Sequence, residues 1–279
     1  MKLTVMSQNV QYGAFEDGRW EGLVEIIRDV DPQLLCLQEV DALADPERAE
    51  SIRKALGMEL VVAPSKYLPT ALAWDPAVWE WAGTETKYSL TEMHHGYCTL
   101  QLRPLGLATD WPVPLVAIST HLNPYSAQAA AVEAQLLCAR AYRHGGIGFI
   151  AGDINHMPLG DPEPDWSLVQ PYNRTSRCLR RQHPDDPWQG NRIVGQTLRD
   201  GDFTDVAAHL ADLHRDPELL QSTGRHGLLR VDQAHVTQPL VPAIRDYCRV
   251  DPKEYADHFG VVFTLDLDLV DLSHIRDFT

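Results

Sequence analysis

No apolar run in the 279-residue chain approaches the roughly 18 uninterrupted residues that a membrane-spanning helix needs. The opening Met1-Lys2-Leu3-Thr4-Val5-Met6 also lacks the long apolar stretch of a secretory signal. Both absences point to a soluble, cytoplasmic protein. Cysteine is scarce, and an odd count of five does not suit a disulfide framework. Cys36, Cys138 and Cys248 stand in apolar or amphipathic segments and read as reduced core residues. Basic residues are in deficit, 24 Lys and Arg against 39 Asp and Glu, which leaves a formal charge of −15. That balance argues against broad, charge-driven adhesion to nucleic acid, because such affinity comes mainly from Lys and Arg displacing counterions. It does not exclude a nuclease, since a site that gathers carboxylates around a cation inflates the acidic count. No internal repeat and no Gly/Ser linker divides the chain, so residues 1–279 are expected to form a single domain. No partner helix or coiled-coil heptad stands out, and no protein partner is expected.

What is present is an apolar content of 44%, enough for a sizeable core. Residues 2–10 read as a strand, after which Trp20, Leu23, Val24 and Ile27 fall at the i, i+3, i+4, i+7 spacing of a helix. Asp31-Pro32 stops that helix before a buried strand at 34–40. A second helix is predicted over 46–56, with Gly57 as its cap. Short strands follow at about 59–63, 70–74, 78–86, 97–103 and 113–120. An alanine-rich helix over 127–142 ends at Gly145-Gly146, and the next strand delivers Asp153. Beyond residue 200 a helix is expected over 203–213, then strands at about 228–237, 243–249 and 260–267. These elements fit two β-rich layers with helices outside.

Residues 156–195 are dense in Pro, Gly, Asp and Arg, show little periodicity, and are expected to form a long loop insertion. Trp166, Tyr172 and Trp188 argue against disorder there. Arg174, Arg177, Arg180, Arg181 and Arg192 make a local basic cluster in an acidic chain, with Arg174 and Arg177 as candidate substrate contacts. The simpler alternative is that these arginines pair with Asp185, Asp186 and neighbouring acids.

Apolar strands are repeatedly followed by small polar clusters with no packing purpose. Ser7-Gln8-Asn9, Gln38-Glu39, Thr120-His121 and Gly152-Asp153-Ile154-Asn155 each close an apolar segment, and Arg230-Val231-Asp232 and Ala256-Asp257-His258 come near the end. A strand that ends in a carboxylate, amide or imidazole can present it at the rim of a sheet, where several such ends can meet one ligand. Each cluster has a simpler reading: Glu39 as a solvated acid, Asn9 as a turn cap, Asp153 and Asn155 as turn residues before Pro158. Together the residue types suit a hard cation and a phosphate. Asp153 and Asn155, two apart, would share a face of a continuing strand. Asp232 is a candidate to fix the tautomer of an imidazole such as His258. His94-His95-Gly96 with Cys98 is too tightly spaced for a tetrahedral zinc site, and His94 and His95 are read as rim residues near a substrate, with plain loop histidines as the alternative.

In order along the chain, Ser7-Gln8-Asn9-Val10, Leu37-Gln38-Glu39-Val40, Ser119-Thr120-His121-Leu122, Gly152-Asp153-Ile154-Asn155, Arg230-Val231-Asp232 and Asp257-His258-Phe259-Gly260 resemble the signatures of the endonuclease/exonuclease/phosphatase superfamily. The resemblance implies an α+β fold, a four-layer α/β/β/α sandwich of two packed mixed β-sheets with outer helices. It implies Mg²⁺ or Mn²⁺ as cofactor, with Glu39 as the principal ligand, Asn9 nearby and Asp257 as a further ligand. Asp153 would activate the attacking water, Asn155 and His121 would contact phosphate oxygens, and Asp232 with His258 would form an orienting dyad. Asp205, within Phe203-Thr204-Asp205-Val206, reads as structural. Ala256 stands where the superfamily usually has Ser or Thr, and Thr-His at 120–121 departs from the tyrosine of abasic-site nucleases, which disfavours a repair role of that kind. The leading expectation is a phosphodiesterase acting on DNA or RNA. The alternatives are a phosphatase or phosphodiesterase for a small molecule or lipid head group, and a non-catalytic binding module.

Overall fold

The computed structural model describes residues 1–15, 17–225 and 228–275. Among the described residues, twelve strands form two six-stranded sheets. The first contains β1 (Lys2–Asn9), β2 (Leu34–Gln38), β3 (Glu59–Val62), β4 (Thr70–Trp74), β11 (Ile244–Val250) and β12 (Gly260–Asp266), in the order β11-β12-β1-β2-β4-β3. The second contains β5 (Trp79–Glu85), β6 (Gly96–Pro104), β7 (Leu115–His121), β8 (Gly148–Asp153), β9 (Phe203–Asp205) and β10 (Asp232–Thr237), in the order β5-β6-β7-β8-β10-β9. Both sheets are mixed: β1 runs parallel to β2 and β7 parallel to β8, and the remaining pairs are antiparallel.

Alternation along the central strands builds three layers of core. In β1, Leu3 and Val5 face the cluster between the sheets, while Met6 faces outward. In β2, Leu34 and Cys36 face inward, Leu35 and Leu37 outward. On β8, Phe149 and Ala151 join the inner cluster, where Phe149 meets Phe263 edge-on, and Ile150 joins the outer one. The outer face of the first sheet packs on α1 (Trp20–Val30) and α2 (Pro46–Leu56). After the short α3 (Ser89–Glu92), the outer face of the second sheet is covered by α4 (Ala127–Tyr142), α5 (Pro171–Arg177) follows, and α6 (Ile193–Asp200) completes the cover. The last helix, α7 (Val206–His214), sends Val206, Ala207 and Leu210 into the inner cluster. The expected α/β/β/α sandwich is the observed one.

Three local expectations change. The helix read from Phe203 begins only at Val206, because Phe203–Asp205 pairs with β10 and the Asp205 side chain then caps α7 by accepting the Ala208 N–H. Residues 156–195 are not a bare loop: they contain α5, a bridge between Cys178 and Gly190, and a small core of Met157, Trp166, Val169 and Cys178 closed by Leu229 and Val231. Cys36 and Cys138 are buried as expected, whereas Cys248 is exposed on the edge strand β11. All five cysteines are free.

The strand directions bring the polar clusters to one rim. Asn9 and Gln38 are register partners at the ends of β1 and β2, and His121 and Asp153 are partners at the ends of β7 and β8. Asp232 opens β10 opposite Asp153, and His258 precedes β12. Gly152 permits the closest of these approaches: its φ is +151°, and a Cβ there would lie 1.9 Å from the Thr120 carbonyl oxygen.

Candidate active site

Glu39, His121 and Asp153 present ligand atoms that lie within 4.8 Å of one another, and Asp153, Asp232 and His258 form a second such group sharing Asp153. The two sheets meet beneath them through a buried polar bridge. Gln38 Nε2 donates to Ser7 Oγ (3.2 Å) and to Ser119 Oγ (3.1 Å), and Ser119 Oγ donates to the Leu37 carbonyl across the sheet interface. A buried hydrogen-bonded network of this kind fixes the relative position of the strand ends above it.

Glu39 has φ 61° and Asn155 φ 62°, left-handed backbone in residues other than glycine. Such conformations persist where surrounding bonds over-determine them. Glu39 is held by the Tyr12 N–H on Oε2 (3.0 Å) and by the Gly13 N–H on its carbonyl (2.7 Å). Asn155 donates from Nδ2 to the Leu122 carbonyl (3.0 Å), and Arg177 grips it twice, Nε to its carbonyl (2.7 Å) and Nη2 to Oδ1 (3.1 Å). Asp153 Oδ1 accepts the Asn155 N–H (2.9 Å), which turns Oδ2 toward His121 Nε2 (3.4 Å) and His258 Nδ1 (4.0 Å).

Asn9 was expected beside the principal ligand Glu39, and its amide lies there. Its Oδ1 accepts the Gln11 N–H (3.0 Å), so Nδ2 faces Glu39 Oε1 (3.0 Å) and Asp153 Oδ2 (3.3 Å). The amide thus bridges two carboxylates that would otherwise repel. Asp257 belongs to neither group of ligand atoms. It lines a cavity of about 120 Å³ with Arg177 and His258 and adds negative charge beside the imidazole.

Burial disfavours a charge on His258, but the Asp232 carboxylate, bonded to Nδ1 at 2.8 Å, outweighs it with help from Asp153 and Asp257 and raises the imidazole pKa to about 10. Burial pushes the Asp232 carboxyl upward against the pull of His258. His95 stacks on His121 with ring centroids 4.0 Å apart. Burial, reinforced by His121 and His94, lowers the His95 pKa to about 2, so it packs as a neutral ring. His94 lies farther out, stacked on the exposed Tyr67 and edge-on to the exposed Tyr125. Arg174 does not reach this centre by any hydrogen bond; it donates to the Trp166 carbonyl and lies over the Trp188 ring.

Several residues here were given no role by the sequence. Gln38, Ser7 and Ser119 read only as polar neighbours of the strand ends. Buried Glu133 on α4 accepts the His94 N–H and the Asn123 N–H, both at 2.7 Å, and so ties together the loops on either side of His121. His156 donates from Nε2 to the Asn123 carbonyl at 2.8 Å, beneath the same loop.

The donor set fits a hard divalent cation. Two carboxylates and an imidazole converge, and among the described residues neither Glu39 nor Asp153 forms an ion pair with Lys or Arg. Among the described residues, buried His121 Nδ1 and Asp232 Oδ1 have no hydrogen-bond partner. Carboxylates placed this close are stable as anions when a positive charge offsets them.

No family model and no curated protein matches the chain. Solved structures do. A D. rerio TDP2 complexed with single strand DNA product is 14% identical, with TM-score 0.62, covering 95% of this chain and 99% of that one. A 3′ phosphatase, NExo, from Neisseria, bound to product DNA hairpin, is 16% identical with TM-score 0.65 and the same two coverages. ANGEL2, a 2′,3′-cyclic phosphatase, is 13% identical with TM-score 0.65, covering 95% of each chain. The chain therefore has the fold of the endonuclease/exonuclease/phosphatase superfamily, the one its ordered motifs resemble.

Proposed function

We propose that this chain is a divalent-metal-dependent phosphoester hydrolase that cleaves nucleic-acid phosphodiester bonds by attack of water. One observation carries the reading: Glu39, His121 and Asp153 converge within 4.8 Å, and Asp153 belongs at once to the group containing the His258–Asp232 pair. A cation site and an acid–base pair that share one carboxylate are the parts a water-mediated displacement at phosphorus requires. The fold supports the substrate class, since proteins sharing it include one described with a single strand DNA product and one with a product DNA hairpin.

Mg²⁺, or Mn²⁺ in its place, would be held by Glu39 and Asp153 with His121 adjacent; when bound it supplies Lewis-acid polarisation of a phosphoryl oxygen. The rest is done by side chains. Asp153 accepts the proton of the attacking water, its orientation set by the Asn155 N–H and the Asn9 amide. His258, charged by Asp232 and using Nδ1 for that bond, offers Nε2–H to a phosphoryl oxygen as negative charge builds. His121 Nε2 faces the same space from the second sheet. Asn155 has both ends of its amide bound by Leu122 and Arg177, which fixes where its second Nδ2–H points. Arg177 is therefore a positioning residue for Asn155. The whole chain is assigned to one catalytic domain, in keeping with a core cluster that draws on strands of both sheets. Five free cysteines suit a reducing compartment, and we assign the protein to the cytoplasm.

The test is hydrolysis by the wild type and Asp153→Ala, with Mg²⁺, Mn²⁺ or EDTA, across plasmid DNA, labelled single-stranded DNA and RNA, and small phosphoesters. Metal-dependent cleavage of a polynucleotide that vanishes in the variant is the expected result. Activity confined to small phosphoesters would overturn the substrate class, and metal-independent activity would overturn the mechanism.

A further inference from the structure

In a chain of net charge −15, the arginines of the 156–195 segment are almost free of carboxylates. Arg192 pairs with Glu163 at 3.0 Å. Among the described residues, Arg174, Arg177, Arg180 and Arg181 form no ion pair. The acids expected to neutralise them are used otherwise. Asp186 Oδ2 accepts the backbone N–H groups of Gln182 (3.0 Å) and His183 (2.8 Å), and exposed Asp185 has no side-chain partner among the described residues. Exposed Arg180 makes no side-chain hydrogen bond among the described residues. Arg181 donates to the carbonyls of Pro184 and Asp186 and lies over the Trp188 ring, its carbon centre 3.8 Å from the centroid. Arg174 lies 5.2 Å from the same ring.

These side chains line one cavity of about 520 Å³, with Arg174, Arg180, Arg181, His183 and Trp188 on its walls. The cavity does not stand apart from the catalytic centre. Arg174 and Arg177 sit one turn apart on α5, and Arg177 lines the smaller cavity shared with Asp257 and His258 while gripping Asn155. One helix therefore forms a wall of both spaces. Leaving this many guanidinium groups without carboxylates costs self-repulsion that an anion would relieve. Guanidinium groups bind phosphates through paired N–H donors, and an aromatic ring among them accommodates a base or sugar.

We propose that the Arg174–Arg180–Arg181–Trp188 cavity is an exosite for a single-stranded polynucleotide, holding backbone phosphates of the strand beyond the bond cleaved at Asp153. The inference rests on the proposed function for what the strand is doing there. The exosite itself needs no metal.

The test is fluorescence anisotropy of a labelled single-stranded oligodeoxynucleotide in EDTA, over a salt series, with the wild type, Arg180→Ala, Arg180→Ala/Arg181→Ala, and Arg143→Ala as a control at the exposed end of α4. The double variant is expected to bind about tenfold more weakly and to lower the slope of log K against log salt by about 1.4, two phosphate contacts on a single strand. Arg180→Ala alone, which removes a side chain with no partner among the described residues, should lower the slope by about 0.7, and Arg143→Ala should change neither quantity. In Mg²⁺, KM for the oligonucleotide should rise in the double variant with kcat unchanged. A wild type that does not bind the strand in EDTA, or variants with wild-type affinity and slope, would overturn the proposal. Preferential, arginine-dependent binding to vesicles containing phosphoinositides would overturn the assigned occupant. Arginine-dependent binding without any cleavage of polynucleotide would sink the reading of the catalytic centre and leave the exosite standing; cleavage indifferent to the arginines would do the reverse.

Discussion

His258 Nδ1 lies 2.8 Å from Asp232 Oδ2, and the contact joins the two sheets, since His258 leads into β12 of the first and Asp232 opens β10 of the second. The bond fixes the ring and keeps it charged. In metal-free protein the His258 imidazole is expected to titrate near pH 10 by NMR, and Asp232→Asn should bring it down, because the carboxamide carries no charge to offset burial. Turnover should fall roughly 10²–10⁴-fold in the same variant, the usual span for losing an acid–base partner. A His258 midpoint unchanged by Asp232→Asn would remove the basis of the assignment.

The Asn9 amide donates to both Glu39 and Asp153, the two carboxylates of the cation site, whereas His258 stands outside the Glu39 group. Glu39→Gln removes a carboxylate from the group and should weaken Mn²⁺ binding by about 100-fold, read by calorimetry. Asn9→Ala should cost about 10–100-fold by releasing both carboxylates from their common partner. Asp153→Ala should lose metal affinity as well as turnover, since Asp153 belongs to the Glu39 group. His258→Ala should keep the affinity and lose the turnover. Equal metal loss in all four variants would mean that the ligand shell is drawn in the wrong place.

The central strands were legible as short apolar runs bounded by turn residues and polar clusters, as expected of strands buried on both faces. Leu34 to Leu37 divides cleanly between inner and outer clusters, and the polar residue that ends each such strand lies at the rim. Segment 156–195 was illegible because its small core borrows Leu229 and Val231 from far along the chain, a partnership that no local period records. The helix read from Phe203 failed where pairing with Thr237 claimed that residue for a strand, tertiary context overriding local propensity. Within the site, the carboxylates and imidazoles announced themselves by residue type. The stack of His95 on His121 did not, because it depends on Gly96 and His121 being register partners across β6 and β7. The turn of the Asn9 amide also had no sequence signal, since it is set by a backbone N–H at Gln11.

Arg230, preceding the dyad in sequence, serves the fold. Its fully buried guanidinium pairs with Asp161 (2.6 Å) and Asp205 (2.8 Å), and Asp205 also caps α7, the structural part expected for it. Arg230→Met should cost about 3–5 kcal/mol in urea unfolding, because it strands the buried Asp161 and the partly buried Asp205 carboxylates. Replacing all three by apolar residues of similar volume should cost much less, since no charge is then left unpaired. A small loss in Arg230→Met alone would show that water reaches these acids.

Buried histidines set the acid side of the stability profile. Burial lowers the pKa of His235, and likewise of His156, to about 4, against an unfolded value of about 6.5. Asp205 favours the charged form of His235, but burial and Arg230 prevail. Between these values the unfolded chain binds more protons than the folded one, so stability rises with pH and falls as acid is added. His258 works in the opposite sense. Its folded pKa of about 10 lies above the unfolded one, so its contribution is complete below pH 6.5 and is lost as pH rises through 10. Metal-free protein should therefore melt highest near pH 6.5–7. From pH 6.5 to 5, above the range of ordinary carboxylates, each of these histidines contributes up to about 2 kcal/mol to the acid limb at 1.36 kcal/mol per pH unit. Thermal melts of His235→Gln and His156→Gln should each show a shallower acid limb across that window. An acid limb of wild-type steepness in both variants would place the proton uptake elsewhere.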